Sequence, residues 1–315
     1  MSGAIQALLV AVLLPLNVSA LTEKEAQKFR DLQLRLSILE KPIINRPCDL
    51  SEKGNPGAVA IERKVKEVGD QVGDMYEKHG LPRPRPKMEK DGKSLGLGME
   101  LPGFSTGGGL FPYDVELIAR LSELQPNIRT IFGIGNAFGL STLTLARLFP
   151  LATVDVMDAE VEGRNNSAGS SVTRAIASEN GLRVNVHQGF SPRDVPAIMD
   201  KLNIQRGGRA IDLAFIDGRH TDSQQVADFV ALAGYMNQTE HTFVLHDVLP
   251  QRFRGGMGDS LRFLVSSYGH KTNLHVCEYG PLNWCNMLGT HFATTSSTVA
   301  TTMGVKKTNW TRCWH

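Results

Sequence analysis

Apolar positions follow two different rhythms along this chain. From Phe111 onward, short apolar runs alternate with stretches whose apolar residues recur every three or four positions. Thr130, Ile131, Phe132 and Ile134 form such a run, and Leu140, Leu143, Leu145, Ala146 and Leu148 follow at helical spacing. A short, almost unbroken apolar run predicts a strand buried on both faces, and the longer period predicts an amphipathic helix. Read this way, helix Tyr113–Leu124 leads into strand one, Arg129–Gly135. Strand two ends at Asp158, strand three covers Arg183–His187, strand four Ile211–Ile216 and strand five Thr242–His246. Helices are expected through Ala175 and Ile176, over Val195–Leu202 and over Ser223–Met236. Beyond Gly258 the pattern predicts helix Asp259–Tyr268 and strands Leu274–Glu278 and His291–Thr295. Such alternation predicts an α/β fold: a doubly wound, Rossmann-like, mostly parallel sheet with helices on both faces.

Before Phe111 the pattern is helical and then irregular. Ala7–Leu16 is almost wholly apolar and Val18-Ser19-Ala20 offers a small-x-small cleavage pattern, so residues 1–20 read as a signal peptide. The first basic side chain, Lys24, follows the apolar run, which also suits a membrane anchor; a buried helix is a third option. Cleavage would leave no membrane span and a protein of the secretory pathway or the exterior. Phe29, Leu32, Leu36 and Leu39 form one stripe, and Ile61, Val65, Val68, Val72 and Met75 a second. Residues 21–80 are therefore expected as a helical hairpin against the main domain or as a homodimer contact. The Pro-Arg repeat Leu81–Lys87 and the glycines up to Gly109 read as a linker, 81–110. The domain proper is expected over 111–293, with a Ser/Thr-rich tail over 294–315.

Charge and cysteine content narrow the partners. With 34 basic and 32 acidic residues the net charge is +2, and no basic block interleaved with aromatics points to nucleic acid. The 4 cysteines include no CxxC pair, so zinc-ligand spacing is absent. In an exported chain Cys277 with Cys285 is the plausible local bridge, leaving Cys48 to Cys313; in a cytosolic chain all would be buried thiols. Sequons at Asn165, Asn237 and Asn309 permit glycosylation.

The candidate chemistry lies at strand ends. Gly133, Gly135 and Gly139 break the first strand before its helix, a turn whose backbone N–H groups and helix N-terminus can face a nucleotide-like ligand. The same turn also suits any tight βα connection. Asp158 stands roughly 20 residues beyond it, where such folds place a carboxylate for a ribose diol; capping a helix is its other use. Asp155 is a rival acid, but inside the strand. Strand four ends in Ile216-Asp217-Gly218-Arg219-His220 and strand five in Leu245-His246-Asp247. In open α/β sheets ligands bind beyond the carboxyl ends of the strands, so these acids and imidazoles should converge on the crevice. Asp217 and Asp247 suit a hard divalent cation such as magnesium, and His220 or His246, with Asp247 beside it, suits proton abstraction. Each also has a plain use in capping or in the core.

Taken together, IFGIGNAFGLSTLTLA (Ile131–Ala146), VDVMDAE (Val154–Glu160), HQGFSP (His187–Pro192), IDLAFIDGRH (Ile211–His220) and FVLHDV (Phe243–Val248) resemble the class I S-adenosylmethionine-dependent methyltransferases. Within them the chain is similar to the catechol O-methyltransferase-like and cephalosporin-hydroxylase-like branch, methyltransferase domain type 24. The resemblance implies S-adenosylmethionine as cofactor, with Gly135, Asn136, Gly139, Ser141 and Thr142 along its methionine moiety. Asp158 would hold the ribose, Gly189 to Ser191 would lie near the adenine, and Asp217 would face the cofactor and a metal, with Asp247 on the metal's second side. The implied reaction is O-methylation of a small-molecule acceptor. One position departs from the pattern: Gly133 stands where the family carries a strand-borne acid that orients the cofactor's amino-acid end. Two other readings share parts of this evidence. A nicotinamide-dependent oxidoreductase would use the same strand, turn and acid, but not the FIDGRH and HD pair. A non-catalytic exported binding domain would fit the leader and Gly133. Cephalosporin-hydroxylase-like chemistry uses related motifs.

Overall fold

Two packed layers of apolar side chains, one on each face of a twisted sheet, position everything that follows. The computed structural model describes residues 46–47, 56–83, 85–88, 94–98, 109–110, 112–160, 168–206, 208, 210–219, 222–237, 239–248, 275–279 and 289–294. Its elements in chain order are β1 (Arg46–Pro47), α1 (Pro56–Lys78), β2 (Arg85–Met88), β3 (Ser94–Gly98), β4 (Gly109–Leu110), α2 (Pro112–Leu124), β5 (Thr130–Ile134) and α3 (Leu140–Leu148). There follow β6 (Thr153–Asp158), α4 (Ala168–Glu179), β7 (Val184–Gln188), α5 (Val195–Arg206), β8 (Leu213–Ile216), α6 (Asp222–Ala233), β9 (Thr242–Val248), β10 (His275–Tyr279) and β11 (Gly289–Thr294).

The main sheet runs β1-β10-β11-β9-β8-β5-β6-β7. Its stretch from β9 through β8, β5 and β6 to β7 is wholly parallel, whereas β11 lies antiparallel between β9 and β10. Strand order reverses at β5, with β6 and β7 to one side and β8 and β9 to the other. In this topology the crevice opens beyond the carboxyl ends of β5 and β8.

Period-two alternation sorts the strand residues between the layers. Ile131, Val154, Leu213, Phe215 and Val244 face one layer, with Leu117, Ile118 and Leu121 of α2 and Leu143 and Leu145 of α3. Phe132, Ile134, Ala214, Ile216, Phe243 and Leu245 face the other, against Val195 and Met199 of α5 and Phe229 and Leu232 of α6. Burial on both faces is why the strands read as unbroken apolar runs.

The second N-terminal stripe lies on α1, and it is part of this core. Val68, Val72, Met75 and Tyr76 pack in the same layer as α2 and α3. Burying each such apolar side chain contributes roughly 1.5–3 kcal/mol, which anchors the helix. The Tyr76 hydroxyl, fully buried, donates to the Phe138 carbonyl at 2.8 Å, and burial pushes its pKa far up. An N-terminal helix thus touches the turn that follows β5. The first stripe, the leader and the helix expected over Asp259–Tyr268 lie outside the described residues, as do Cys48, Cys285 and Cys313 and the side chain of Cys277.

The segment expected as linker differs. Arg85–Met88, Ser94–Gly98 and Gly109–Leu110 form an antiparallel sheet in the order β2-β3-β4. Pro86 is compatible because β2 is an edge strand of that sheet, where a missing N–H costs no interior ladder bond. Proline and glycine signal extended chain here, not its absence. Among the described residues no helix is long and apolar enough to cross a membrane.

Candidate functional site

Ladder bonds carry the centre of the sheet right up to the crevice. The Gly135 amide donates to the Met157 carbonyl at 2.8 Å, and the Asp217 amide donates to the Ile134 carbonyl at 2.8 Å. The ends of β6, β5 and β8 are therefore locked side by side. Gly135 has φ of 92°, and a Cβ added there would run into the carbonyl oxygen of Asp217. Only glycine meets both demands, which explains this position of the turn. Gly139, also at φ 92°, is the N-cap of α3 and makes no side-chain cap hydrogen bond. The first amides of a helix have no intrahelical partner, so this end presents donors and a positive dipole end without a capping side chain.

The turn's polar side chains divide by task. Asn136, only 2% exposed, donates to the Thr173 hydroxyl at 3.0 Å and the Ala137 carbonyl at 3.0 Å, and accepts from the Thr142 hydroxyl at 2.8 Å. Asn136 and Thr142 are thereby committed to holding the turn's shape against α4. Ser141 is buried beside them. Asp158, at the end of β6, points back into the turn. Its Oδ2 accepts from the amides of Asn136 at 2.6 Å and Ala137 at 2.9 Å, while its Oδ1 accepts from the Glu160 amide at 2.5 Å. The acid expected to hold a ribose thus also ties the turn's backbone to the next strand. Ala137 and Glu160, both bonded to it, have positive φ of 44° and 55°. Side chains there are strained in the left-handed region, and such strain gathers at ligand-binding turns. Gly133 faces Val156: a Cβ at 133 would stand 3.0 Å from Val156 Cγ2.

The loop after β7 adjoins this arrangement. The Gly189 amide donates to the Asp158 carbonyl at 2.9 Å. The Ser191 hydroxyl donates to Asp228 Oδ1, and Gln224 donates to the Ser191 carbonyl at 2.8 Å and to Asp228 Oδ1 at 2.7 Å. Asp228 is fully buried on α6; burial pushes its pKa up, against the hydrogen bonds from Ser191 and Gln224 that favour its charged form. Asp228 and Gln224 carry no signal in the sequence: Gln224 stands among the polar residues of the first turn of α6, and Asp228 is a lone acid in its apolar half.

The strongest electrostatic feature lies at the ends of β8 and β9. His246 Nδ1 is 3.0 Å from Asp217 Oδ1, and its Nε2 is 2.8 Å from Asp114 Oδ2. A neutral imidazole donates from one nitrogen only, so satisfying two carboxylates requires both nitrogens protonated. Burial works against the charged ring, but the pull of Asp217 and Asp114 and their hydrogen bonds outweighs it, and its pKa is well above 6.5. Asp114, only 1% exposed, stands in the first turn of α2 and was not among the expected site residues.

Two of the expected site residues meet in this contact. His246, expected as a base, has both ring nitrogens at carboxylates, Nδ1 at Asp217 and Nε2 at Asp114. Asp217, expected to face a metal, has one carboxylate oxygen 3.0 Å from the His246 ring. Among the described residues no group of three or more His, Cys, Asp and Glu is arranged to hold a metal ion. His220 and the side chain of Asp247 lie outside the described residues. The structure thus brings Gly135, Asn136, Gly139, Ser141, Thr142 and Asp158 to one turn, sets Gly189 and Ser191 beside it, and abuts it with Asp217.

Comparison with known proteins bears on the same segment. Residues 132–248 match a family described as "Methyltransferase domain". Among solved structures, the chain is similar to the O-methyltransferase TomG from Streptomyces achromogenes, involved in tomaymycin synthesis and crystallised in complex with SAM. That similarity has 16% identity and a TM-score of 0.47, covering 73% of this chain and 90% of the other. The O-methyltransferase from Bacillus cereus in complex with SAH has 14% identity and a TM-score of 0.47, over 73% of this chain and 91% of its own. No curated protein sequence matches the chain.

Proposed function

We propose that the protein, whose residues 132–248 match a methyltransferase-domain family, transfers a methyl group from S-adenosylmethionine to an oxygen of a small-molecule acceptor. The observation that carries this reading is the turn from Gly135 to Gly139, at the point where strand order reverses and inside the matched segment. The uncapped first turn of α3 suits the carboxylate of the cofactor's amino-acid end. Asp158, at the lip of the turn, suits the ribose hydroxyls, and Gly189 to Ser191 suit the adenine side. S-adenosylmethionine, when bound, supplies a methyl group on a sulfonium for in-line displacement. The chain's own contribution is alignment: a rigid turn, held by Asn136, Thr142 and Asp158, fixes one reactant while the crevice orients the other. With both ring nitrogens of His246 at carboxylates, His220 and Asp247 are the residues left to take the acceptor's proton.

Calorimetric titration of the full chain with S-adenosylhomocysteine tests this. Binding is expected, weakened at least about tenfold by Asp158→Ala, which strips acceptors from two turn amides. Preference for a nicotinamide dinucleotide would overturn it. A second reading, a non-catalytic exported domain, draws on Gly133 and the leader. With Gly133 packed against Val156, β5 carries no acid at that position for the cofactor's amino group. A folded protein that binds no S-adenosylhomocysteine would favour that reading.

A further inference from the structure

The buried acid of α6 is only half used. Asp228 is fully buried, and its Oδ1 accepts from the Ser191 hydroxyl and, at 2.7 Å, from the Gln224 side-chain amide. Its Oδ2 is buried as well and has no hydrogen-bond partner among the described residues. A carboxylate oxygen withdrawn from water and left unpaired is destabilising, so such an atom calls for a donor from outside the chain, a ligand or a water. Its surroundings favour a ligand. Gly218 follows Asp217 beyond β8, and a Cβ added there would stand 3.4 Å from Asp228 Oδ2 and 3.0 Å from Ile134 Cγ2. Glycine at 218 therefore leaves the space beside the orphan oxygen free of a side chain.

The loop after β7 is held against the same acid. Gln224 donates to the Ser191 carbonyl at 2.8 Å, and Asp194 closes the loop by accepting from the Phe190 amide at 2.8 Å. A Cβ added at Gly189 would stand 3.2 Å from Met157 Sδ. Ile134 and Met157, at the ends of β5 and β6, belong to the apolar layer on this face of the sheet. Apolar strand ends with an unpaired acceptor at their edge suit a flat heterocycle that carries an N–H donor on its rim.

We infer that Asp228 Oδ2 accepts from the exocyclic amine of the cofactor's adenine, which makes Asp228 the residue that selects an amino-purine over its oxo counterpart. The inference rests on the methyl-transfer reading, which sets the adenine beside Gly189 to Ser191. Ser191 and Gln224 hold Oδ1, and so fix the orientation of the carboxylate and of Oδ2 with it. An amine offers Oδ2 a donor. An oxo group in its place offers none and sets its own lone pairs against those of the acid. A buried acceptor that is positioned for a hydrogen bond rejects an analogue without the donor, because it is then left unpaired.

The test is calorimetric titration of the full chain with S-adenosylhomocysteine and with S-inosylhomocysteine, in which an oxo group replaces the amine. The unaltered protein should bind the amino ligand roughly ten- to a hundredfold more tightly. Asp228→Asn keeps an acceptor for Ser191 and Gln224 but sets an amide NH2 where Oδ2 stood, so the preference should vanish or reverse. Gly218→Ala crowds the space beside Oδ2 and should weaken the amino ligand and shrink its advantage. An Asp228 that merely braces the loop would weaken both ligands alike when substituted and leave their ratio unchanged, and that result would overturn the inference. Equal affinities in the unaltered protein would overturn it too, with water as the partner of Oδ2, as would a preference for the oxo ligand, with Oδ2 then carrying a proton. If Asp228→Asn does not fold, the ratios in the unaltered chain and in Gly218→Ala decide. Binding of both ligands without discrimination sinks the role of Asp228 alone, whereas binding of neither sinks the methyl-transfer reading and this role with it.

Discussion

The two halves of the crevice use carboxylates in opposite ways. On the β5–β6 side, Asp158 accepts from backbone amides, so an acid shapes a turn whose φ values are already unusual. On the β8–β9 side, Asp114 and Asp217 accept from a side chain and hold a charge in the interior. The first half stores its order in the backbone and exposes helix dipole and amides to a ligand. The second stores it in a buried ion pair, where charge rather than chain geometry does the positioning. The difference teaches that one crevice can combine a backbone-ordered turn with an electrostatic wall, the two meeting where the Asp217 carbonyl stands against Gly135.

The largest effect should come from breaking the wall. His246→Ala leaves two acids without their cationic partner, and loss of one member of a buried pair costs about 3–5 kcal/mol in denaturant unfolding. Next, Gly135→Ala attacks the turn by strain and by collision with the Asp217 carbonyl. A cost of roughly 1–3 kcal/mol is expected, together with loss of S-adenosylhomocysteine binding in calorimetry. Retained affinity would mean that the turn is not the binding element.

Two buried histidines, His241 just before β9 and His246 within it, sharpen the comparison through pH. For His246 the folded pKa is raised above 6.5. Its stabilisation is full below that value and is lost as pH rises toward and through the folded pKa. For His241 burial lowers the pKa below 6.5, against a hydrogen bond to the Asn237 carbonyl. Its contribution is present above 6.5 and is lost as pH falls through the folded value. Melting temperature against pH should therefore lose its alkaline slope in His246→Gln and part of its acid slope in His241→Gln. The smallest effect belongs to Tyr76→Phe, which removes the donor to the Phe138 carbonyl and should cost roughly 0.5–1.5 kcal/mol. A matching loss of S-adenosylhomocysteine affinity would show that α1 braces the turn for binding.

Legibility in the sequence followed the range of the interaction. The strands, their order of appearance, the glycine turn and Asp158 could all be read from local pattern, and the elements lie within a few residues of expectation. Asp114 could not. In the first turn of α2 it reads as an ordinary acid favoured by the helix dipole, and its partner His246 lies 132 residues away. His246 itself was recognisable as a candidate, but not its role, because a base and a clamped cation are the same letter. The strands β2, β3 and β4 were hidden by the prolines and glycines of Leu81–Gly109, which signal turns only when no neighbouring strand is known.

What the sequence determined by itself is the periodicity: where strands and helices form, that the sheet is mostly parallel and covered on both faces, and where its glycine turn sits. These are properties of a few consecutive residues and of the side-chain direction that backbone geometry imposes. What only the tertiary structure decided is chemical state. Whether His246 is charged, whether Asp217 faces a cation or an imidazolium, and whether Asp158 serves ligand or backbone depend on groups within a few ångströms that the chain brings together from afar. The energy of a charge is set by those neighbours and by the loss of water around it, neither of which is written in local order.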